Sequence, residues 1–460
     1  MKRTFETSLL NNPMRTLLVL GAGRSTQSLI DYLLAHASDE DWMLTLADQN
    51  LEWAMQKLQG HPRGQAVALD ANDREKRREL IKGKFIVVSM LPAFMHPEIA
   101  EDCVDLGVHL ATASYTSDAM RALGPKAAEK GLILLNEIGV DPGIDHLSAM
   151  KLLDEVRNQG AELLGFESFT GGLLAPESPS NPWQYKFTWN PRNVVLAGAG
   201  GAVKFKQEGT YKFIPYHQVF RRTEFIDIPG YGRFEGYANR DSLQYRSVYG
   251  LDTIPTIYRG TLRRPGFCRA WDVFVKLGMT DDSYQLEGVS EMTHRTFVNS
   301  FLAYHPFNSV EIKLMHYLNI PQDDDLMERL TWLDLFKDEP IGIEKGTPAQ
   351  VLEHILSKKW TMGPLDTDML VMWHMVIYQL HGKTHELTSS LVVKGQGPEK
   401  TAMAHTVGLP LAMAVRRILK DQVTQKGSVI PIQPEWYNPL LEELREYGIV
   451  FHDVTRVLPE

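Results

Sequence analysis

The stretch Gly21-Ala22-Gly23-Arg24-Ser25-Thr26 has backbone and side chains suited to a phosphate. Glycine lets the chain approach an anion closely, and the free N–H groups and positive dipole end of a following helix favour negative charge there. Asp48 stands about 20 residues beyond the turn, at the spacing where a carboxylate accepts hydrogen bonds from a dinucleotide's ribose hydroxyls. A 2′-phosphate would meet that negative charge, so the spacing predicts NAD, with NADP less favoured and Arg24 offsetting part of the repulsion. The fingerprint is incomplete, because Thr26 replaces its third glycine. Glycines that serve only packing, with Asp48 capping the next helix, are the alternative.

Further residues with chemistry lie at Ser89, Ser114-Tyr115, Asp141-Pro142, Asp145-His146 and Arg263. Hydroxyls and a carboxylate at strand ends can hold a ligand or take up a proton. An ordinary turn at Ser114-Tyr115 and a helix cap at Asp141 are the structural alternatives, and Asp145 or His146 could fill the capping role instead. Asp141, Asp145 and His146 include metal-ligating types, but two acids and one histidine across a turn are more often hydrogen-bonded structure, so no metal is predicted. Arg263 offers a planar fork for a carboxylate, or a surface or domain-bridging ion pair beside Arg264. Lys186 and Asn190 are further polar candidates, and Arg240 or Lys186 is the fallback if Arg263 is not the clamp. Gly198-Ala199-Gly200-Gly201 reads as a turn or a close-packed helix start.

These residues need elements to position them. Thr16–Leu20 is an apolar run short enough for a buried parallel strand, and it passes through the glycines into Gln27–Leu34 with leucines at helical spacing. Strand runs recur at Met43–Asp48, Ala66–Asp70, Phe85–Met90, Val108–Ala113 and Leu132–Glu137, alternating with helical patterns. That alternation predicts an α/β fold with a doubly wound parallel sheet, which binds ligands at the carboxyl ends of its strands. The first domain should close near 141. From Phe166 to about Phe274, short alternating runs predict a strand-rich second domain, residues 297–380 read as mostly helical, and Leu387–Val393 reads as a late strand. A helical pattern over 401–419 is expected to be interrupted at Gly408 and Pro410.

With 460 residues, two or three domains are expected. A formal charge of -9 argues against non-specific nucleic-acid binding. Cys103 and Cys268 are the only cysteines, without metal-type spacing, which argues against both a disulfide framework and a zinc site. No apolar run reaches the roughly 18 residues of a spanning helix, and residues 1–13 lack a signal peptide's apolar core. A cytoplasmic protein without membrane partners is the expectation.

Several stretches together resemble one family, the glutamate-forming saccharopine dehydrogenases, which include the dehydrogenase half of the bifunctional aminoadipate-semialdehyde synthase. They are Thr112-Ala113-Ser114-Tyr115, Asn136 to His146, Gly171-Gly172-Leu173, Ala175-Pro176-Glu177, Asn181-Pro182, Tyr185-Lys186-Phe187, Gly236-Tyr237, Asn239-Arg240-Asp241 and Gly260-Thr261-Leu262-Arg263. The similarity is in order and covers nearly the whole chain. It implies a variant Rossmann-type domain over 1–141 to which about 400–460 returns. A mixed α/β substrate and dimerisation domain would span 142–296 and about 381–399, with a small helical domain over 297–380, in a homodimer. The implied reaction is oxidation of saccharopine's secondary amine to glutamate and aminoadipate semialdehyde, in lysine metabolism. Dehydrogenation of a related amine such as carboxynorspermidine, or a non-catalytic NAD-binding regulatory role, is the alternative.

The resemblance also implies site residues. Cofactor contacts would come from Gly21, Gly23, Arg24, Ser25, Thr26, Asp48, Gln49, Leu69, Asp70, Ser89, Met90, Ala113, Ser114, Tyr115, Val140, Asp141 and Pro142. Substrate would meet Ser114, Tyr115, Asp141, Asn190, Arg263, Met292, Thr293 and His294, with Asp141 and Tyr115 catalytic. There are departures. Ser168-Phe169-Thr170 stands where the family often has Ser-Tyr-Cys, and Asp48-Gln49 stands where the fungal NADP enzymes carry Cys-Arg, which points to the NAD branch.

Overall fold

A computed structural model of the chain describes residues 14–197, 201–239, 241–321 and 324–459. The lead-in 1–13, most of the second glycine cluster (198–200) and Arg240 lie outside the described residues. The chain divides into two compact units, one reaching to Ile144 and including Val407–Pro431, the other comprising Asp145–Thr406 and the chain from Ile432.

The first unit is built on seven parallel strands in the order Gly427–Val429, Ile133–Leu135, His109–Thr112, Ile86–Ser89, Arg15–Leu20, Trp42–Asp48, Gly64–Ala68. The short apolar runs make this arrangement: Leu17, Leu18, Val19, Ile86, Val87 and Val88 are fully buried, as strands covered on both faces must be. Apart from the added strand Gly427–Val429, the order is that of a doubly wound dinucleotide-binding sheet. The helix Ala402–Leu419 is continuous through the expected interruptions and carries Pro410 inside it. Gly408 serves close packing there, because a Cβ at that position would stand 2.8 Å from the backbone nitrogen of Leu29.

The second unit holds a nine-stranded mixed sheet whose main path runs Thr223–Ile228, Gly232–Ala238, Thr256–Arg263, Glu162–Leu174, Asp368–Leu380, Lys383–Lys394, His452–Val457. Glu162–Leu174 and Thr256–Arg263 pair in parallel, and the other pairs on this path are antiparallel. Three expectations are corrected. Phe267–Leu277, inside the stretch read as strand-rich, is a helix whose Phe267, Trp271 and Phe274 recur on one buried face. The helical stretch ends at Trp360, and Asp368–Leu380 is a strand paired along both edges, its buried Val371 and Val376 favouring the extended chain. Only Val407–Pro431 of the C-terminal segment joins the first unit; Pro434–Glu446 and the edge strand His452–Val457 belong to the second. The helices up to Trp360 share one hydrophobic core with the sheet, in which Phe297, Leu314, Ile355 and Trp360 join Leu173 and Leu262.

The helix Ala402–Leu419 begins on Asp368, whose carboxylate accepts from the backbone N–H of Ala402 at 2.6 Å and of Met403 at 3.0 Å. Among the described residues no helix is long and apolar enough to cross a membrane.

Candidate active site

In the first unit, the strand Arg15–Leu20 ends at Gly21, which has φ +99° and whose added Cβ would stand 3.2 Å from the Met90 carbonyl oxygen. Only glycine fits this turn without strain. Gly23 has open space where a side chain would be, and Arg24 is exposed beside it. Thr26, in place of the third glycine, is buried and donates its hydroxyl to the Gly23 carbonyl at 2.7 Å. The side chain of the N-cap residue Thr26 makes no capping hydrogen bond to the helix Gln27–Ala37 that follows. A glycine turn without a Cβ wall and an uncapped helix start fit a dinucleotide phosphate.

Asp48 does not project as a bare charge. One carboxylate oxygen accepts from Ala22 N at 2.6 Å and the other from Asn50 N at 2.8 Å. Gln49 donates its amide to Asp70 at 3.0 Å, and Asp70 also accepts from Asn72 N at 3.0 Å. These bonds, the Asn72 N–H first, lower the Asp70 pKa. Leu69 N donates to Asp48 O at 2.9 Å and Met90 N to Leu20 O at 2.9 Å, so both residues lie where the strand ends knit together.

Tyr115 donates its hydroxyl to Asp141 Oδ1 at 2.7 Å, joining the two residues expected to be catalytic. The turn Gly139-Val140-Asp141-Pro142-Gly143 presents the carboxylate: Gly139 N donates to Pro142 O at 2.8 Å, and Ile144 N to Gly139 O at 2.9 Å. Gly143 has φ +146°, and a Cβ there would lie 2.0 Å from Gly139 O, so the motif's last glycine is required by space as well as by conformation. Ala113 flanks the same turn, 2.9 Å from where a Gly139 Cβ would be. Glu137 ties the two loops: its N–H donates to Ser114 O at 3.1 Å and its carboxylate accepts from Thr116 N at 2.9 Å.

Sequence reasoning missed His96. Its ring is buried, with Nδ1 3.0 Å from the Ser89 hydroxyl and Nε2 2.9 Å from Ser114 Oγ and 3.1 Å from Thr112 Oγ1. Burial lowers its pKa to about 4, so the ring is neutral at physiological pH.

In the second unit, Arg263 ends the strand Thr256–Arg263 and is 6% exposed. Its guanidinium carbon lies 5.1 Å from the ring centroid of Tyr185, 5.2 Å from Phe267 and 5.8 Å from Tyr237. Nη1 donates to Leu262 O at 2.9 Å, and among the described residues Nε has no acceptor and no acidic residue pairs with the guanidinium. Within the described residues its guanidinium is flanked by aromatic faces rather than by a carboxylate. The buried hydroxyls of Tyr185 and Thr170 also have no partner among the described residues.

Other expected site residues have their polar groups engaged in the fold. Asn190 is the exposed N-cap of Pro191–Val195 and accepts from Arg192 N at 3.0 Å. Thr293 caps His294–Ser300 in a reciprocal box with Thr296, Met292 O accepts from Ile341 N at 3.0 Å, and buried His294 meets Asp334 O at 3.0 Å and Lys358 Nζ at 3.1 Å. Lys186 pairs with Asp366 at 2.6 Å. Asp145 pairs with buried Arg259, and His146 Nδ1 lies 2.5 Å from the Tyr249 hydroxyl, a hydrogen-bonded structural cluster.

Residues 17–135 match the saccharopine dehydrogenase NADP binding domain and residues 139–449 the saccharopine dehydrogenase C-terminal domain. The chain belongs to the saccharopine dehydrogenase family. The mitochondrial alpha-aminoadipic semialdehyde synthase of Rattus norvegicus is 31% identical over 446 residues, 95% of this chain and 47% of that protein. The chain thus spans about half the length of these synthases. The saccharopine dehydrogenase [NADP(+), L-glutamate-forming] of Saccharomyces cerevisiae is 32% identical over 449 residues, 96% of this chain and 99% of that protein. The apo structure of the Saccharomyces cerevisiae saccharopine dehydrogenase (L-Glu forming) superposes with TM-score 0.85 at 31% identity, covering 96% of this chain and 100% of that one.

These findings overturn the NAD preference read from Asp48 and Gln49, because the matched domain is NADP-binding and the fungal saccharopine dehydrogenases are named for NADP(+). The physical reason is in the hydrogen bonds already given. Asp48 has each carboxylate oxygen engaged by a backbone N–H group, which takes up acceptor sites that the NAD reading assigned to ribose hydroxyls.

Proposed function

We propose that this member of the saccharopine dehydrogenase family oxidises the secondary amine of saccharopine with NADP and water to L-glutamate and L-2-aminoadipate 6-semialdehyde, or runs the reverse, in the cytoplasm. The observation that carries the reading is Arg263, a buried cation without an acidic partner among the described residues, as a ligand with carboxylates requires. The glycine turn, with Gly21, Gly23 and the start of Gln27–Ala37, would hold the cofactor phosphates, and Arg24 a 2′-phosphate. When bound, NADP supplies the acceptor for the hydride that leaves the carbon beside the nitrogen. Asp141 takes the proton from the amine, or from the water that adds to the resulting C=N bond before the C–N bond breaks. Tyr115 donates to Asp141 and fixes that carboxylate's direction, Ser114 contacts the ligand, and Arg263 clamps a carboxylate.

Cofactor preference is a direct test. NADP is expected to support faster oxidation than NAD at equal concentration, and Arg24→Ala to weaken NADP use while sparing NAD. Better use of NAD, or an Arg24→Ala variant with unchanged discrimination, contradicts that placement of the 2′-phosphate. A panel containing saccharopine and carboxynorspermidine separates the substrates, and an NADPH-binding protein that turns over neither is the regulatory alternative.

We also propose a homodimer formed through the second unit's sheet. Trp373, Met375 and Ile377 are half-buried and stand in register with Ser390, Thr388 and Glu386, which in turn face His452, Val454 and Arg456 on the edge strand. Val454 is 57% exposed on an open edge strand, in the same row as half-buried Met375 and Thr388, a mixed apolar and polar surface that a second copy would cover. Met375→Glu with Val454→Glu should shift the protein from dimer to monomer in light scattering. A mass that stays dimeric places the interface elsewhere, and a monomeric wild type removes the dimer.

A further inference from the structure

The parallel register that pairs Ser89 with Thr112 brings two strand ends side by side, and the first residue of the helix His96–Leu106 inserts its ring between them. Ser89 Oγ lies 3.0 Å from Nδ1, while Ser114 Oγ and Thr112 Oγ1 lie 2.9 and 3.1 Å from Nε2. The ring is 2% exposed and Ser89 and Thr112 are each 1% exposed, so these polar groups depend on one another. Ser114 N also donates to Thr112 Oγ1 at 3.3 Å, which makes the loop's backbone part of the same cluster.

A neutral imidazole donates from one ring nitrogen and accepts at the other. If Ser89 gives its proton to the ring, the ring gives its own to the Ser114 side. If the ring donates to Ser89, it accepts from the Ser114 side. The proton direction of the Ser114 hydroxyl is therefore set from the far side of the ring. Burial keeps this ring uncharged, with its pKa lowered to about 4, so the opposed donor and acceptor persist at physiological pH. The next residue along is Tyr115, bonded to Asp141 at 2.7 Å, so a shift of this loop moves that pair as well.

We infer that His96 is a positioning residue, holding the Ser114–Tyr115 segment and orienting the Ser114 hydroxyl toward the ligand without touching the ligand itself. This rests on the proposed role of Ser114 and Tyr115 in cofactor and substrate contact. Nothing in the local sequence marks it: a single histidine at the start of a helix becomes meaningful only when the sheet register assembles its three hydroxyl partners.

Two amide variants of the full-length protein separate positioning from support. His96→Gln places an amide where Nε2 lies and keeps the Ser114 side; His96→Asn places one where Nδ1 lies and keeps the Ser89 side. Each loses one side of the cluster, so their melting temperatures should fall alike. Saccharopine kcat/KM with NADP should fall about 100-fold in His96→Asn, the scale for a misplaced contact, and should be largely restored in His96→Gln. NADPH affinity, read by fluorescence, should follow the same order. Equal kinetics and equal affinity in the two variants, or losses that track melting temperature, would overturn the positioning role. A wild type that binds NADPH but does not oxidise saccharopine counts against the proposed reaction; the order of NADPH affinities then still decides the role of His96.

Discussion

Asp141→Asn is expected to lower the turnover of saccharopine by about 10²–10⁴-fold, the range for losing a positioned general base, while NADPH affinity and melting temperature should stay near wild type. Asparagine keeps the size and a hydrogen-bond acceptor for the Tyr115 hydroxyl, which lies 2.7 Å from the carboxylate. It also leaves undisturbed the turn bonds between Gly139, Pro142 and Ile144, which are made by backbone atoms alone. What it removes is the capacity to take up a proton from the amine or the attacking water. Tyr115→Phe is the companion variant: it loses the bond that directs the carboxylate and should fall less far. Turnover, NADPH affinity and thermal unfolding measured on one preparation decide the matter. Unchanged turnover in Asp141→Asn takes this residue out of the mechanism, and a collapse of melting temperature with loss of all activity assigns it to helix capping.

Arg263→Ala should weaken saccharopine use by about 2–5 kcal/mol, the scale for truncating one partner of a buried charge pair. That corresponds to a fall in kcat/KM between about 30-fold and several thousand-fold, with NADPH affinity unmoved. The side chain lies among Tyr185, Tyr237 and Phe267, so alanine also leaves a gap in an aromatic wall and lowers stability. Arg263→Met fills the same space without charge and separates the two effects. It should keep most of the melting temperature and still lose substrate. If Arg263→Met retains wild-type saccharopine kinetics, the carboxylate clamp lies elsewhere, and the buried guanidinium serves packing alone.

The parts of the fold that were legible in the sequence are those with strong local signals. Short fully apolar runs between glycine turns mark the strands of the first unit, and Gly139 to Gly143 is a motif because backbone contacts leave no room for a Cβ at its last position. Asp368–Leu380 was not legible as a strand because its residue types are apolar on both faces apart from Asp368, His374 and Gln379, and a nearly continuous apolar run does not distinguish a central strand from a buried helix. Asp48 was found by spacing, yet spacing carries no information on which donors its carboxylate faces, and both of its oxygens accept from backbone N–H groups, of Ala22 and Asn50. Asn190 and Thr293 have side chains that serve a ligand and a helix cap equally well, and in the fold each is bonded to the start of its own helix. Arg263 is the opposite case, since an arginine beside another arginine suggests the surface, and its burial comes from aromatic residues scattered from Tyr185 to Phe267.

Whether the chain splits saccharopine is decided by product analysis of the wild-type protein incubated with saccharopine and NADP. Mass spectrometry for L-glutamate and L-2-aminoadipate 6-semialdehyde should show the two in equal amounts, each equal to the NADPH formed. Formation of NADPH without glutamate would contradict the account, as would no turnover of saccharopine in either direction by a protein that binds NADPH.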